Sequence, residues 1–157
     1  MKEILVLAGV DDSSQRMADE NQSRRLLEAV FQVCSGLKKR GGATPLLCFM
    51  RPEDALLMVD QVAASPSAPE LFQTSDDLAR IDGVLVIPPL NETFDPPHRF
   101  VADALNHCMK NEKLVCVCHR TTLGMRWMLQ SEESTFVCDD ILESEKLYEV
   151  VRRFEVS

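Results

Sequence analysis

The chain has 157 residues, 45% hydrophobic and 27% charged, the composition of one soluble globular domain with a real core. Its formal net charge of −8 argues against nucleic acid or an anionic membrane surface as a main partner. No run approaches the ~20 consecutive apolar residues of a membrane span.

The opening MKEILVLAGVDD carries one Lys and a short apolar run, with no small-residue cleavage site after it. It reads as a first strand, Ile4 to Ala8, rather than a signal peptide, and the protein is expected in the cytoplasm. A long polar segment, Gly9 to Gln22, leads to a helix from about Ser23 to Arg40. Leu26, Leu27, Val30, Phe31, Cys34 and Leu37 fall on one face of it. Lys38, Lys39 and Arg40 suit its C-terminal dipole, and Gly41-Gly42 stops it. Thr44 to Met50 is the second strand. Arg51-Pro52-Glu53-Asp54 starts a helix with Ala55, Leu56, Val59, Val62 and Ala63 as its buried stripe, broken by Ser65-Pro66-Ser67-Ala68-Pro69. Ser75 to Ile81 reads as a short helix capped by Ser75, with Leu78 and Ile81 facing inward.

The third strand is Val84 to Ile87 and the fourth Leu114 to Cys118. Both are short, unalternating and rich in β-branched residues, as in strands covered on both faces. Between them a helix from about Pro97 to Asn111 carries Phe100, Val101, Ala104, Leu105, Cys108 and Met109 as its stripe. Trp127, Met128 and Leu129 are assigned to a helix from about Leu123 to Gln130. Thr135 to Cys138 is the fifth strand. A last helix from about Glu143 to Phe154 buries Leu147, Val150, Val151 and Phe154. Strands alternating with helices predict an α/β fold: one domain over residues 1–157, a doubly wound, three-layer, five-stranded parallel sheet. The commonest such order is flavodoxin-like, 2-1-3-4-5, with its switch point between strands one and three.

The ligand site is then expected in the loops after strands one, three and four. The first holds Ser13, Ser14, Arg16 and Ser23 before a helix N-terminus, an arrangement that suits a phosphate. It lacks both the P-loop and the Rossmann glycines, and Asp11 and Asp12 would repel phosphate unless turned away. The same residues also fit a solvated loop with Ser23 or Asn21 as a helix cap. The second loop holds Pro89, Leu90, Asn91, Glu92 and Thr93, polar edges and apolar faces for a planar ring, or an ordinary turn. The third holds His119, Arg120, Thr121 and Thr122; its His can donate, bind phosphate, act as acid or base, or be structural. Six cysteines, Cys34, Cys48, Cys108, Cys116, Cys118 and Cys138, show no CxxC and no zinc spacing. They read as reduced core residues, and no metal is expected.

ILVLAG, a Ser- and Arg-containing loop and SRRLLEAV resemble the start of the NADPH-dependent FMN reductase family. DGVLVIPPLNETFDPPHRFVADAL resembles that family's third strand and loop, with Asn91 where the family's Asn contacts the flavin. The resemblance spans roughly residues 1–110 with a gap through 52–75. Val10 replaces the family's Ser after Gly, and Leu90 its aromatic. It implies a flavodoxin-like domain binding FMN, with a nicotinamide nucleotide as electron donor, a small acceptor such as a quinone or free flavin, and by analogy a homodimer. KLVCVCHRTTLGMRWML is similar instead to the nucleophile turn of the glutamine-amidotransferase-like superfamily. That resemblance implies Cys118 as a nucleophile on a strand-to-helix turn, with His119 beside it, in a hydrolase or a redox-sensing protein. A third expectation is a nucleotide-binding or nucleotide-processing domain without flavin, because one fold hosts many functions.

Overall fold

Lys2–Ala8 forms β1. Its run Ile4-Leu5-Val6-Leu7-Ala8 does not alternate because both of its faces are covered. Ile4, Val6 and Ala8 enter one hydrophobic cluster, and Leu5 and Leu7 enter the other. The computed structural model describes residues 2–8, 30–49, 69–72, 76–87, 99–121, 124–129, 135–138 and 145–154. The predicted helix after residue 51 and its Pro-rich break as far as Ala68 thus lie outside the described residues, as does Ser75.

Two strands flank β1 in parallel: β2, Ala43–Phe49, and β4, Gly83–Ile87. A two-residue strand, β3, Glu70–Leu71, adds to the outer side of β2. On the other side β5, Leu114–Thr121, runs parallel to β4. The chain then turns back as β6, Gly124–Leu129, and again as β7, Thr135–Cys138, both in antiparallel pairing. Among the described residues the sheet has seven strands in the order β3-β2-β1-β4-β5-β6-β7.

Helix α1, described over residues 30–39, packs on one face through Val30, Val33, Cys34 and Leu37. Helix α3, Glu145–Arg153, joins it there through Leu147, Tyr148 and Val151. Helix α2, Arg99–Lys110, covers the opposite face through Ala104 and Cys108. The β1-to-β2 connection thus crosses one face toward one edge, and β4-to-β5 crosses the other face toward the other edge. Opposite directions on opposite faces have one hand, as the right-handed crossover rule requires. The architecture is α/β, with helices on both faces of a largely parallel sheet.

Four expectations are corrected. The parallel strands run in the order 3-2-1-4-5, not 2-1-3-4-5. The difference at that edge is β3, whose two residues, Glu70 and Leu71, carry too little apolar pattern to read as a strand. At the far edge β6 intervenes between β5 and β7, so the fifth predicted strand does not pair with the fourth. The helix predicted from Leu123 to Gln130 is strand β6 over Gly124–Leu129. Met125, Trp127 and Leu129 alternate there as well as they cluster at helical spacing, and pairing with β5 decides between the two. The predicted helix ending at Ile81 is a single 3-10 turn, Leu78–Arg80, capped by the Asp77 side chain, which accepts from Ala79 N–H at 2.9 Å. Ile81 is buried as expected. Met109, expected in the buried stripe of α2, is 49% exposed.

The C-terminal helix is fixed by its last turn. Lys2 Nζ donates to the carbonyls of Val151 at 2.6 Å and Arg152 at 2.9 Å, a cation on the negative end of the helix dipole. Arg152 donates in turn to the Arg40 carbonyl at 3.2 Å. Tyr148, absent from the predicted stripe, is 1% exposed, and the Arg40 guanidinium stands 4.7 Å from its ring centroid.

Candidate functional site at the carboxyl edge of the sheet

All five parallel strands present their carboxyl ends at one edge. There the connections diverge: from β1 toward β2 on one side, and from β4 toward β5 on the other. Ala8 and Ile87, the last residues of β1 and β4, are register partners. The segments beginning at residues 9 and 88 therefore leave the sheet from adjacent points. A reversal of this kind opens a crevice at the carboxyl ends of open α/β sheets. Ala8 and Ile87, at that point of divergence, are themselves buried.

The predicted site residues divide accordingly. Ser13, Ser14, Arg16 and Ser23, then Pro89, Leu90, Asn91, Glu92 and Thr93, and also Thr122, lie outside the described residues. His119, Arg120 and Thr121, expected in a loop, instead continue β5. His119 pairs with Arg126, Arg120 with Met125 and Thr121 with Gly124 across the hairpin. Only residues 122 and 123 separate the last pair. Thr122-Leu123 is not the Asn-Gly type of dipeptide that announces a two-residue hairpin, so the turn carried little sequence signal. Arg126, the register partner of His119, was not among the residues singled out from the sequence.

The same hairpin alters the surroundings of Cys118. A nucleophile turn needs a strand that ends at the cysteine and passes into a helix. Here β5 runs on through Thr121, the next element is a strand, and Cys118 pairs with Trp127 with 0% exposure. Cys34, Cys48, Cys108 and Cys116 are enclosed as well. Burial pushes the thiols of Cys34 and Cys48 up to about 12 and that of Cys108 to about 11.

Charges on the described residues gather at the opposite, amino edge. Arg80 bridges Glu3 at 3.1 Å and Glu70 at 3.0 Å. Asp82 accepts from Glu3 N–H at 2.8 Å and returns its own N–H to the Glu3 carbonyl at 2.7 Å. Lys113 Nζ donates to the Ile81 carbonyl and stands 3.3 Å from His107 Nε2. These contacts tie the starts of β1, β4 and β5 together, and such exposed ion pairs contribute little each.

One pH effect follows from them. Desolvation first, then the Lys113 ammonium, with Lys110 adding and Asp77 opposing, holds the His107 imidazole below its ordinary 6.5. A histidine depressed in the fold takes its proton first in the unfolded chain. Folding stability therefore declines as pH falls below 6.5 toward the depressed folded value. An NMR titration of the His107 ring is expected to give a midpoint below 6.5, and Lys113→Met to move it upward; an unmoved midpoint would contradict this contact.

No family model, curated protein or solved structure matches this chain. Among the described residues no helix is long and apolar enough to cross a membrane.

Proposed function

We propose that the chain is a flavodoxin-like FMN-binding oxidoreductase that takes electrons from NADH or NADPH and delivers them to a small acceptor such as a quinone or a flavin. The observation that supports this reading is the pairing of Ala8 with Ile87 at the point where the strand connections diverge, the position at which open α/β sheets bind ligands. Bound FMN would supply the redox chemistry.

The protein's part is binding and exclusion of water. Ser13, Ser14, Arg16 and Ser23 would hold the phosphate, with donors from hydroxyls, guanidinium and a helix N-terminus. Pro89, Leu90, Asn91, Glu92 and Thr93 would flank the ring on one side, and His119, Arg120, Thr121 and Thr122 on the other. Two copies of the chain are proposed to associate, and the cytoplasm is the proposed compartment.

An absorbance spectrum of the purified protein tests this, taken as isolated and again after adding FMN and desalting. The expected result is a flavin band near one FMN per chain, with oxidation of NADPH on mixing. A protein that stays colourless after loading would refute the flavin reading and favour a flavin-free nucleotide site, which a thermal shift with AMP would then detect.

A further inference from the structure

The amino edge of the sheet carries its charges in two ways. On the α2 side the basic residues are committed: Arg80 holds Glu3 and Glu70, and Lys113 donates to the Ile81 carbonyl. On the side of α1 and α3 positive charge accumulates instead. Both helices end at this edge, α1 just before the start of β2 and α3 against Lys2 at the start of β1. The Arg152 guanidinium donates to the Arg40 carbonyl at 3.2 Å, which brings the last turn of α3 to the end of α1, 112 positions away in sequence. Lys38, Lys39, Arg40, Arg152 and Arg153 are all exposed there, and Lys2 joins them through its bond to the Arg152 carbonyl.

Six of the 17 basic residues of a chain with net charge −8 thus share one surface. Two carboxylates face them, and each already holds an arginine: Glu145 pairs with Arg40, and Glu149 with Arg153. Among the described residues no ion pair involves Lys38 or Lys39. The helix dipole favours a cation in the last turn of each helix taken separately. Once the two ends meet, their like charges repel, and the dipole does not offset that. An incoming anion does.

We propose that this surface docks an extended, carboxylate-rich segment of a partner protein. Half of its cations are arginines, whose planar forks match carboxylates, and arginine clusters are recurrent readers of acidic motifs. The Arg40–Glu145 pair is the same contact made within the chain. Duplex DNA and a lipid surface fit less well. At physiological ionic strength charges act over about 8 Å, so a short segment meets this surface alone. A broad polyanion would also meet the rest of a chain that holds 25 acidic residues. The surface lies at the amino edge, opposite the proposed flavin site, and the inference does not rest on that reading.

Fluorescence anisotropy of a labelled poly-glutamate peptide, titrated with the full chain, tests the proposal. The expected result is saturable binding that weakens as sodium chloride is raised. Lys38→Glu combined with Lys39→Glu is expected to raise the Kd at least tenfold, and Lys39→Glu alone at least threefold. Lys110→Glu makes the same change of charge at the exposed end of α2 and is expected to stay within twofold of wild type. If the double variant melts early, Lys39→Gln carries the test with a loss greater than twofold. A wild-type protein that does not bind the peptide overturns the proposal. Equal losses in Lys39→Glu and Lys110→Glu also overturn it, since binding would then follow net charge and not this surface. Tighter binding of duplex DNA or of phosphatidylserine vesicles, displaced by the peptide, overturns it by assigning the surface to a phosphate polymer or a membrane.

Discussion

Gly36→Ala is expected to destabilise the protein by about 3 kcal/mol, against the usual gain from replacing a helical glycine. Gly36 lies inside α1 and is buried. A Cβ built there would stand 2.1 Å from Tyr148 Cζ and 2.2 Å from its Oη. The ring lies directly on the helix backbone, and the tight contact is how α3 docks on α1. Alanine would drive a fully buried ring out of its place while Lys2 holds the end of α3 to β1. Glycine in a helix interior costs about 1 kcal/mol relative to alanine, so this position gives up propensity for packing. The double-mutant cycle makes the point decisive. Tyr148→Ala alone should cost about 3–5 kcal/mol by leaving a cavity. In that background Gly36→Ala should become neutral or stabilising, a coupling of roughly 3 kcal/mol. Thermal melts followed by circular dichroism would show the first variant about 6–12 °C lower. Equal costs in both backgrounds would mean that the ring does not rest on Gly36.

The helix-to-helix contact also illustrates what could be read in advance. The core strands were legible because Ile4-Leu5-Val6-Leu7-Ala8 and Val84-Leu85-Val86-Ile87 are unbroken runs, and only burial on both faces tolerates such runs. The switch point followed from them, and Ala8 and Ile87 do end as partners. Tyr148 was not legible as core, since its site is defined by a missing side chain on another helix, 112 positions earlier. Gly124–Leu129 defeated the reading for a different reason. Its apolar residues satisfy both periods, so the choice rests on the edge of β5, a tertiary fact. Once that hairpin is in place, His119 and Arg120 pass from a loop to a strand, and Arg126 enters beside them. The residues after β1 and β4 could be singled out by chemistry alone, because where the loops must depart is fixed by the strands even though recognition is not.

In the native protein at pH 8, at most one of the six cysteines is expected to react quickly with a thiol reagent such as dithionitrobenzoate. Five of them, Cys34, Cys48, Cys108, Cys116 and Cys118, are all 4% exposed or less. For Cys34 and Cys48, a thiol pushed up to about 12 holds roughly 10³-fold less thiolate at that pH than an ordinary cysteine, before access is considered. Labelling of these residues should therefore wait for unfolding, and its rate should track the opening of the core. In urea all six should react. The experiment bears on function through Cys118. A nucleophilic cysteine must be reachable, and that opposes a side chain sealed inside the cluster shared by α1 and α3. Any single fast thiol should therefore persist in Cys118→Ser and vanish in Cys138→Ser. The reverse pattern would return catalysis to Cys118. It would require the cluster that α1 and α3 form over Cys118 to open.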